Sequence, residues 1–141
     1  MNRMFFKRVR AVAFVSLALL FAVLAWACEE KIAPEDMAAM SAKGYYGHLI
    51  AGEYDAYLAG INGVDSLPAG YREQLITNAR QFMARQKEEH GGIAGVEVIR
   101  AKADSTSGYV NVFLLLTFAD SLHEEIVVPM LETSPAEWRM K

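Results

Sequence analysis

Tyr109-Val110-Asn111-Val112-Phe113-Leu114-Leu115-Leu116-Thr117-Phe118-Ala119 is the stretch on which the fold turns, and Asn111 and Thr117 are its only internal polar side chains. A run this long, this apolar and this rich in β-branched and aromatic residues reads as a central strand covered on both faces. Its flanks agree. Ala103-Asp104-Ser105-Thr106-Ser107-Gly108 before it is a turn by composition, and Asp120-Ser121 after it is a tight reversal. Residues 96–102 alternate, which places Val96, Val98 and Arg100 on one face and Glu97 and Ile99 on the other. Residues 122–131 form a further strand, in which Ile126, Val127 and Val128 are β-branched and Glu124 and Glu125 are solvent candidates. Residues 137–141 close the chain as a short strand anchored by Trp138.

Upstream of Gly95 the apolar period becomes helical. Pro34-Glu35-Asp36 marks a helix start, because proline tolerates the first helical position and acids in the first turn suit the helix dipole. Ala38, Ala42, Tyr45 and Leu49 then form one apolar stripe, which Gly52 ends. A short second helix holds Tyr54, Tyr57, Leu58 and Ile61, ahead of the breaker-rich run 60–70. The third helix begins near Pro68, carries Tyr71, Leu75, Ala79, Phe82 and Met83 on one side, and stops at His90-Gly91-Gly92. Gly44 and Gly47 inside the first helix each cost up to about 1 kcal/mol against alanine. Close approach of helix to sheet explains them; room for a ligand at a pocket mouth is the alternative. Three helices followed by an antiparallel meander make an α+β domain, with the helices packed on one sheet face.

The first thirty residues carry an address. Arg3, Lys7, Arg8 and Arg10 precede an uncharged run over 11–27, and Cys28-Glu29-Glu30-Lys31 follows. A basic region, an apolar region and small residues at the junction read as a secretory signal. Leu24-Ala25-Trp26-Ala27-Cys28 resembles a bacterial lipobox, in which the cysteine is lipidated and becomes the mature N-terminus. It departs from that pattern in having its Leu one place further back and a bulky Trp26 before Ala27. Two readings compete. Ala25-Trp26-Ala27 also fits ordinary signal peptidase, and residues 11–27 approach the roughly 17–25 that span a bilayer as an uncleaved anchor. Cys28 is the chain's only cysteine, and its position at this junction favours lipidation. The organisation expected is a lipoprotein signal peptide at 1–27, a short linker at 28–33, and a single domain at 34–141. Its place is the bacterial cell envelope, lipid-anchored to a membrane, on the periplasmic side or at the surface. Glu29-Glu30 resembles an acidic surface-export tag, although a solvated linker is the simpler reading.

The signal removes four of the 14 basic residues and none of the 17 acidic ones, so the mature chain carries ten bases against 17 acids, a formal charge of −7. Such a surface is poorly suited to nucleic acid. With no second cysteine, no internal disulfide forms and the core is stabilised by packing alone.

The order of elements is similar to the nuclear-transport-factor-like cone fold of the cystatin-like superfamily. Several segments look like small envelope lipoproteins grouped there as a domain of unknown function. These are Gly52-Glu53-Tyr54-Asp55-Ala56-Tyr57, Gly91-Gly92-Ile93, the strand before Asp120, Val127-Val128-Pro129-Met130, and Glu137-Trp138-Arg139-Met140. The resemblance spans about residues 34–141 and implies a lipid-anchored domain of unassigned activity. It also implies a homodimer through the sheet face. The superfamily hosts isomerases, dehydratases, ligand binders and interaction modules, so the fold alone does not select among them.

Enzymes on this cone place an Asp or His, often with a Tyr, in the pocket between helices and sheet. The long apolar strand offers no such group, and His123, Glu124 and Glu125 lie close to a turn. Catalytic residues are therefore not assigned, and the expectation is a non-enzymatic binding or interaction module. The first alternative is a binder of a small apolar ligand, in a pocket lined by Tyr45, Tyr54, Tyr57, Phe82, Asn111 and Phe113. The second is an acid–base enzyme; the discriminator is whether any Asp, Glu or His points into the cone, and His123 or Asp55 buried there beside a tyrosine would weaken the non-enzymatic expectation. His48, His90 and His123 fall in different elements with no ligand spacing, so neither a metal nor another cofactor is expected.

Overall fold

The computed structural model describes residues 31–141. The signal at 1–27, Cys28 and the start of the 28–33 linker lie outside the described residues. Helices α1 (Pro34–Ile50), α2 (Tyr54–Ala59) and α3 (Ala69–His90) are followed by strands β1 (Ile93–Ala103), β2 (Val110–Phe118), β3 (His123–Ser134) and β4 (Glu137–Met140). A 3₁₀ turn at Val64–Ser66 joins α2 to α3. The strands form one antiparallel sheet in the order β1-β2-β3-β4. Among the described residues no helix is long and apolar enough to cross a membrane.

Local chemistry sets the helix ends. Pro34 occupies the first turn of α1 with Glu35 and Asp36, and His48 lies in its last turn. At the end of α3, Gly91 adopts φ 76°, and the Gly91 and Gly92 N–H groups donate to the Lys87 and Gln86 carbonyls, both at 3.1 Å. This left-handed close turns the chain straight into β1. Ile61 lies beyond α2, not within it: it bridges to Met140 in parallel, and Met140 N–H donates to the Gly60 carbonyl at 2.7 Å. Gly60 is required there, since a Cβ would sit 2.4 Å from the Tyr45 ring. Tyr71, placed by its spacing on the apolar side of α3, is 56% exposed, because α3 leans on the sheet through residues further along.

Strand β2 is not covered on both faces. Val110, Val112, Leu114, Leu116 and Phe118 are buried, while Asn111, Phe113, Leu115 and Thr117 between them are only half-buried. All three helices lie on one side, the arrangement an antiparallel sheet permits. The other face is shielded by neighbouring side chains; Arg100 lies over the Phe113 ring at 3.8 Å and reaches Glu125 at 3.4 Å. Strand β1 also departs from simple alternation. Val98 stands opposite Leu114 and Arg100 opposite Phe113, which leaves Ile99 as an extra, unopposed residue. This bulge puts Val96 and Val98 on the inner face and turns Arg100 to the outer face with Glu97.

The main core lies between α1 and the sheet. Ala38, Ala39 and Ala42 pack on Val110, Val112, Leu114, Val128, Met130, Trp138 and Met140. A second buried cluster, Ile93, Leu116 and Phe118, lies nearer the end of α3.

Candidate functional site

Along α1 the inward side chains change from alanines to Tyr46 and Leu49, and the helix then gives way to α2. Between the end of α1, α2, α3 and the inner sheet face is a cavity of about 380 Å³. Its helical walls are Tyr46, Leu49, Tyr57, Leu58, Leu75 and Phe82, with Ala79 and Asn78 between them on α3. Its sheet wall is Leu116, Ile126 and Glu124, and Ile61 completes the lining. The volume falls within the range of small-molecule sites, and a mainly apolar lining with few polar groups is their usual composition.

The Tyr46 and Tyr57 rings meet edge to face, with centroids 5.9 Å apart and planes at 81°. Burial pushes the Tyr46 hydroxyl far above the usual phenol range, and the adjacent Tyr57 adds to this. Burial also raises Tyr57, with a hydrogen bond from Tyr46 opposing it. Both phenols are therefore neutral near physiological pH, available as donors and acceptors but not as bases. Asn78 accepts a hydrogen bond from Gln74 at 3.0 Å through its carbonyl oxygen, which leaves its amide N–H groups for another partner. Glu124 is an exposed acid on the cavity's sheet wall.

Of the six residues the sequence assigns to a pocket, the structure brings Tyr57 and Phe82 together at this cavity. The other four are elsewhere. Tyr45 belongs to the α1–sheet core, where its hydroxyl donates to the Trp138 carbonyl at 3.0 Å. Tyr54 lies beneath the Arg80 guanidinium at 5.6 Å. Asn111 and Phe113 fall on the outer sheet face, because residues of odd number in β2 point away from the helices. Reading the sequence also missed Tyr46, Leu116 and Glu124. For Leu116 a signal was present, since it has the parity of Leu114 along the strand; Glu124 is placed by its pairing opposite Leu116, which only the β2–β3 register reveals.

Among the described residues, Glu124 is the one Asp, Glu or His side chain in the cavity lining; Asp55 and the three histidines lie elsewhere. His123 contacts the Thr117 hydroxyl at 3.1 Å on the outer face, and Asp55 accepts from Arg72 at 3.2 Å in solvent. His48 pairs with Glu53 beyond α1. His90, at the end of α3, is 2.8 Å from Asp120 in the β2–β3 turn and stacks on Phe118 at 4.6 Å. The His90 contact, followed by the Leu122 N–H, holds the Asp120 carboxyl below its usual range. No group of three or more His, Cys, Asp or Glu side chains able to hold a metal occurs among the described residues.

Neither a protein-family model nor a curated protein matches this chain. Among solved structures it is similar to a Campylobacter jejuni protein provisionally named an NTF2-like transpeptidase. The TM-score is 0.56 at 13% identity, over 77% of this chain and 97% of the other. The fold is NTF2-like. At that identity the likeness concerns architecture alone: three helices on one face of an open four-stranded sheet. Within that NTF2-like frame, the cavity occupies the space between helices and sheet.

Proposed function

We propose that this chain is a lipid-anchored domain of the bacterial cell envelope that binds a small, mainly apolar ligand in its cone cavity and catalyses no reaction. It belongs with the small NTF2-like envelope lipoproteins that its sequence resembles. The observation that carries the binding reading is the 380 Å³ cavity, with its neutral Tyr46–Tyr57 pair. An apolar body removes lining surface from water, and a single polar group finds the phenols or Asn78. A transpeptidase, the activity named for the Campylobacter jejuni protein, would need a side chain to carry an acyl group and a base to activate it. The cavity lining includes no Ser, Cys, Lys or His, so it does not favour that chemistry here. The lipid anchor rests on the lipobox-like run ending at Cys28.

Pairing of two copies through the outer sheet face is a second reading. It is favoured by half-buried Phe113 and Leu115 and by Val127, which is 50% exposed.

Native mass spectrometry of the full chain, extracted in mild detergent from its own cells, tests both halves of the proposal. A retained small-molecule mass is expected in the wild type and not in Ala79→Phe, whose ring would occupy the cavity. Equal masses in the two, with nothing retained, would overturn the binding reading. An acylated N-terminal Cys28 is expected in the same spectrum, and Cys28→Ser should leave the membrane fraction. If the serine variant stays membrane-bound, lipidation is not the anchor.

A further inference from the structure

The lining has a charge character as well as an apolar one. Three aromatic rings, Tyr46, Tyr57 and Phe82, and one acid, Glu124, line the cavity, whereas no Lys, Arg or His does. Tyr46 and Phe82 pack against the cluster of Ile93, Leu116 and Phe118. Glu124 stands directly across from that cluster's Leu116 in the β2–β3 register. Glu124 and the three rings therefore line one cavity, which lies toward the Leu116 end of the inner sheet face. No basic side chain forms an ion pair with Glu124 among the described residues; Arg100 goes instead to its neighbour Glu125, on the outer face.

We infer that the cavity selects an organic cation, an ammonium-bearing molecule whose apolar body fills the space and whose charged end lies between the aromatic rings and Glu124. This inference rests on the pocket-binding reading above. Ring faces carry the negative part of an aromatic quadrupole and attract ammonium groups, most strongly where water is excluded. Neutral phenols add oxygen lone pairs without a second charge to solvate. A carboxylate ligand would meet Glu124 with no basic lining residue to offset the repulsion, which is discrimination by an unfavourable contact. An uncharged ligand of the same size would keep the apolar gain and lose the electrostatic one. The order expected is cation, then neutral molecule, then anion.

The test titrates the full chain, held in lipid nanodiscs with empty nanodiscs as blank, with three probes: benzyltrimethylammonium, benzyl alcohol and phenylacetate. Benzyltrimethylammonium should bind tightest and phenylacetate weakest. Glu124→Gln should weaken the cation by about fivefold and leave benzyl alcohol unchanged, the scale of a partly exposed cation–carboxylate contact. Added salt should weaken the cation in the wild type far more than in Glu124→Gln. Glu124→Lys should move the preference to phenylacetate, an outcome that a variant unable to fold could not give. Phenylacetate binding as tightly as the cation, or a cation affinity unmoved by Glu124→Gln, would overturn the charge selection while leaving the pocket intact. Binding of none of the three, together with no retained mass sensitive to Ala79→Phe, would overturn the pocket reading and this inference with it.

Discussion

At the Val110–Met130 end of the inner sheet face, α1 lays Ala38, Ala39 and Ala42 against Val112, Met130 and Met140, and none of these is more than 8% exposed. At the Leu116–Glu124 end of the same face, the same helix presents Tyr46 and Leu49, and about 380 Å³ stands open. The strands and helix are shared; the side-chain sizes differ. Alanine methyls let a helix settle onto the sheet, where β-branched and sulfur-containing side chains fill the remaining gaps. Aromatic side chains hold the elements apart, and the short α2 and leaning α3 do not close the difference. One end of the domain is built for stability, and the other keeps space.

Leu114 and Leu116 sit two residues apart on that face, are 0% and 1% exposed, and give the sharpest test of the contrast. Leu114→Ala should lower stability by roughly 2–5 kcal/mol, read as a shifted urea midpoint, because the packed end cannot collapse around the void. Leu116→Ala should cost about half as much, since that side chain already borders open space and surrenders fewer packed neighbours. Equal losses would mean that the two ends are packed alike. Ala79→Phe should change stability by less than about 1 kcal/mol while closing the cavity, where a similar enlargement in a filled core costs about 1–3 kcal/mol.

The smallest effect expected is at the turn beyond the open end. There the His90 contact and the Leu122 N–H hold the Asp120 carboxyl below its ordinary value of 3.8. A lowered folded-state value means stabilisation that is present above the ordinary value and lost as pH falls through the lowered one. Asp120→Asn should therefore lower stability slightly at neutral pH, where the charged carboxyl contributes, and converge with the wild type below the lowered value, which flattens part of the acid limb, as thermal melts from neutral into the acid range would show. A steeper acid limb in the variant would contradict this account of the turn.

The same contrast explains what was legible in the sequence. The α1 stripe, the long α3, the Gly91-Gly92 stop and the β2 run are local patterns, and the elements follow them closely. Two features depend on partners far along the chain. Phe113 and Leu115 look like core residues in isolation, yet helices reach only the even-numbered side of β2. Arg100 alternates with Val96 and Val98 in the sequence, but the bulge at Ile99 reverses its face. The pocket was harder still. Tyr45 and Tyr46 are adjacent and chemically identical, and only the helical phase sends one to the Trp138 carbonyl and the other to the cavity. Composition cannot choose between neighbours that differ by 100° of rotation about a helix axis; packing does.

The unopposed Ile99 has a consequence for how this domain meets its own kind. Strand β1 is one free margin of the sheet, and β4, the other, is only four residues long. A straight margin of unpaired amides and carbonyls is a template on which another chain can add a strand, and from there a fibril can grow. The bulge breaks the repeat of that margin part-way along and twists it, and Arg100 and Lys102 put charge beside it. An incoming strand would fall out of step after a few residues, which disfavours edge-to-edge pairing of copies along this margin.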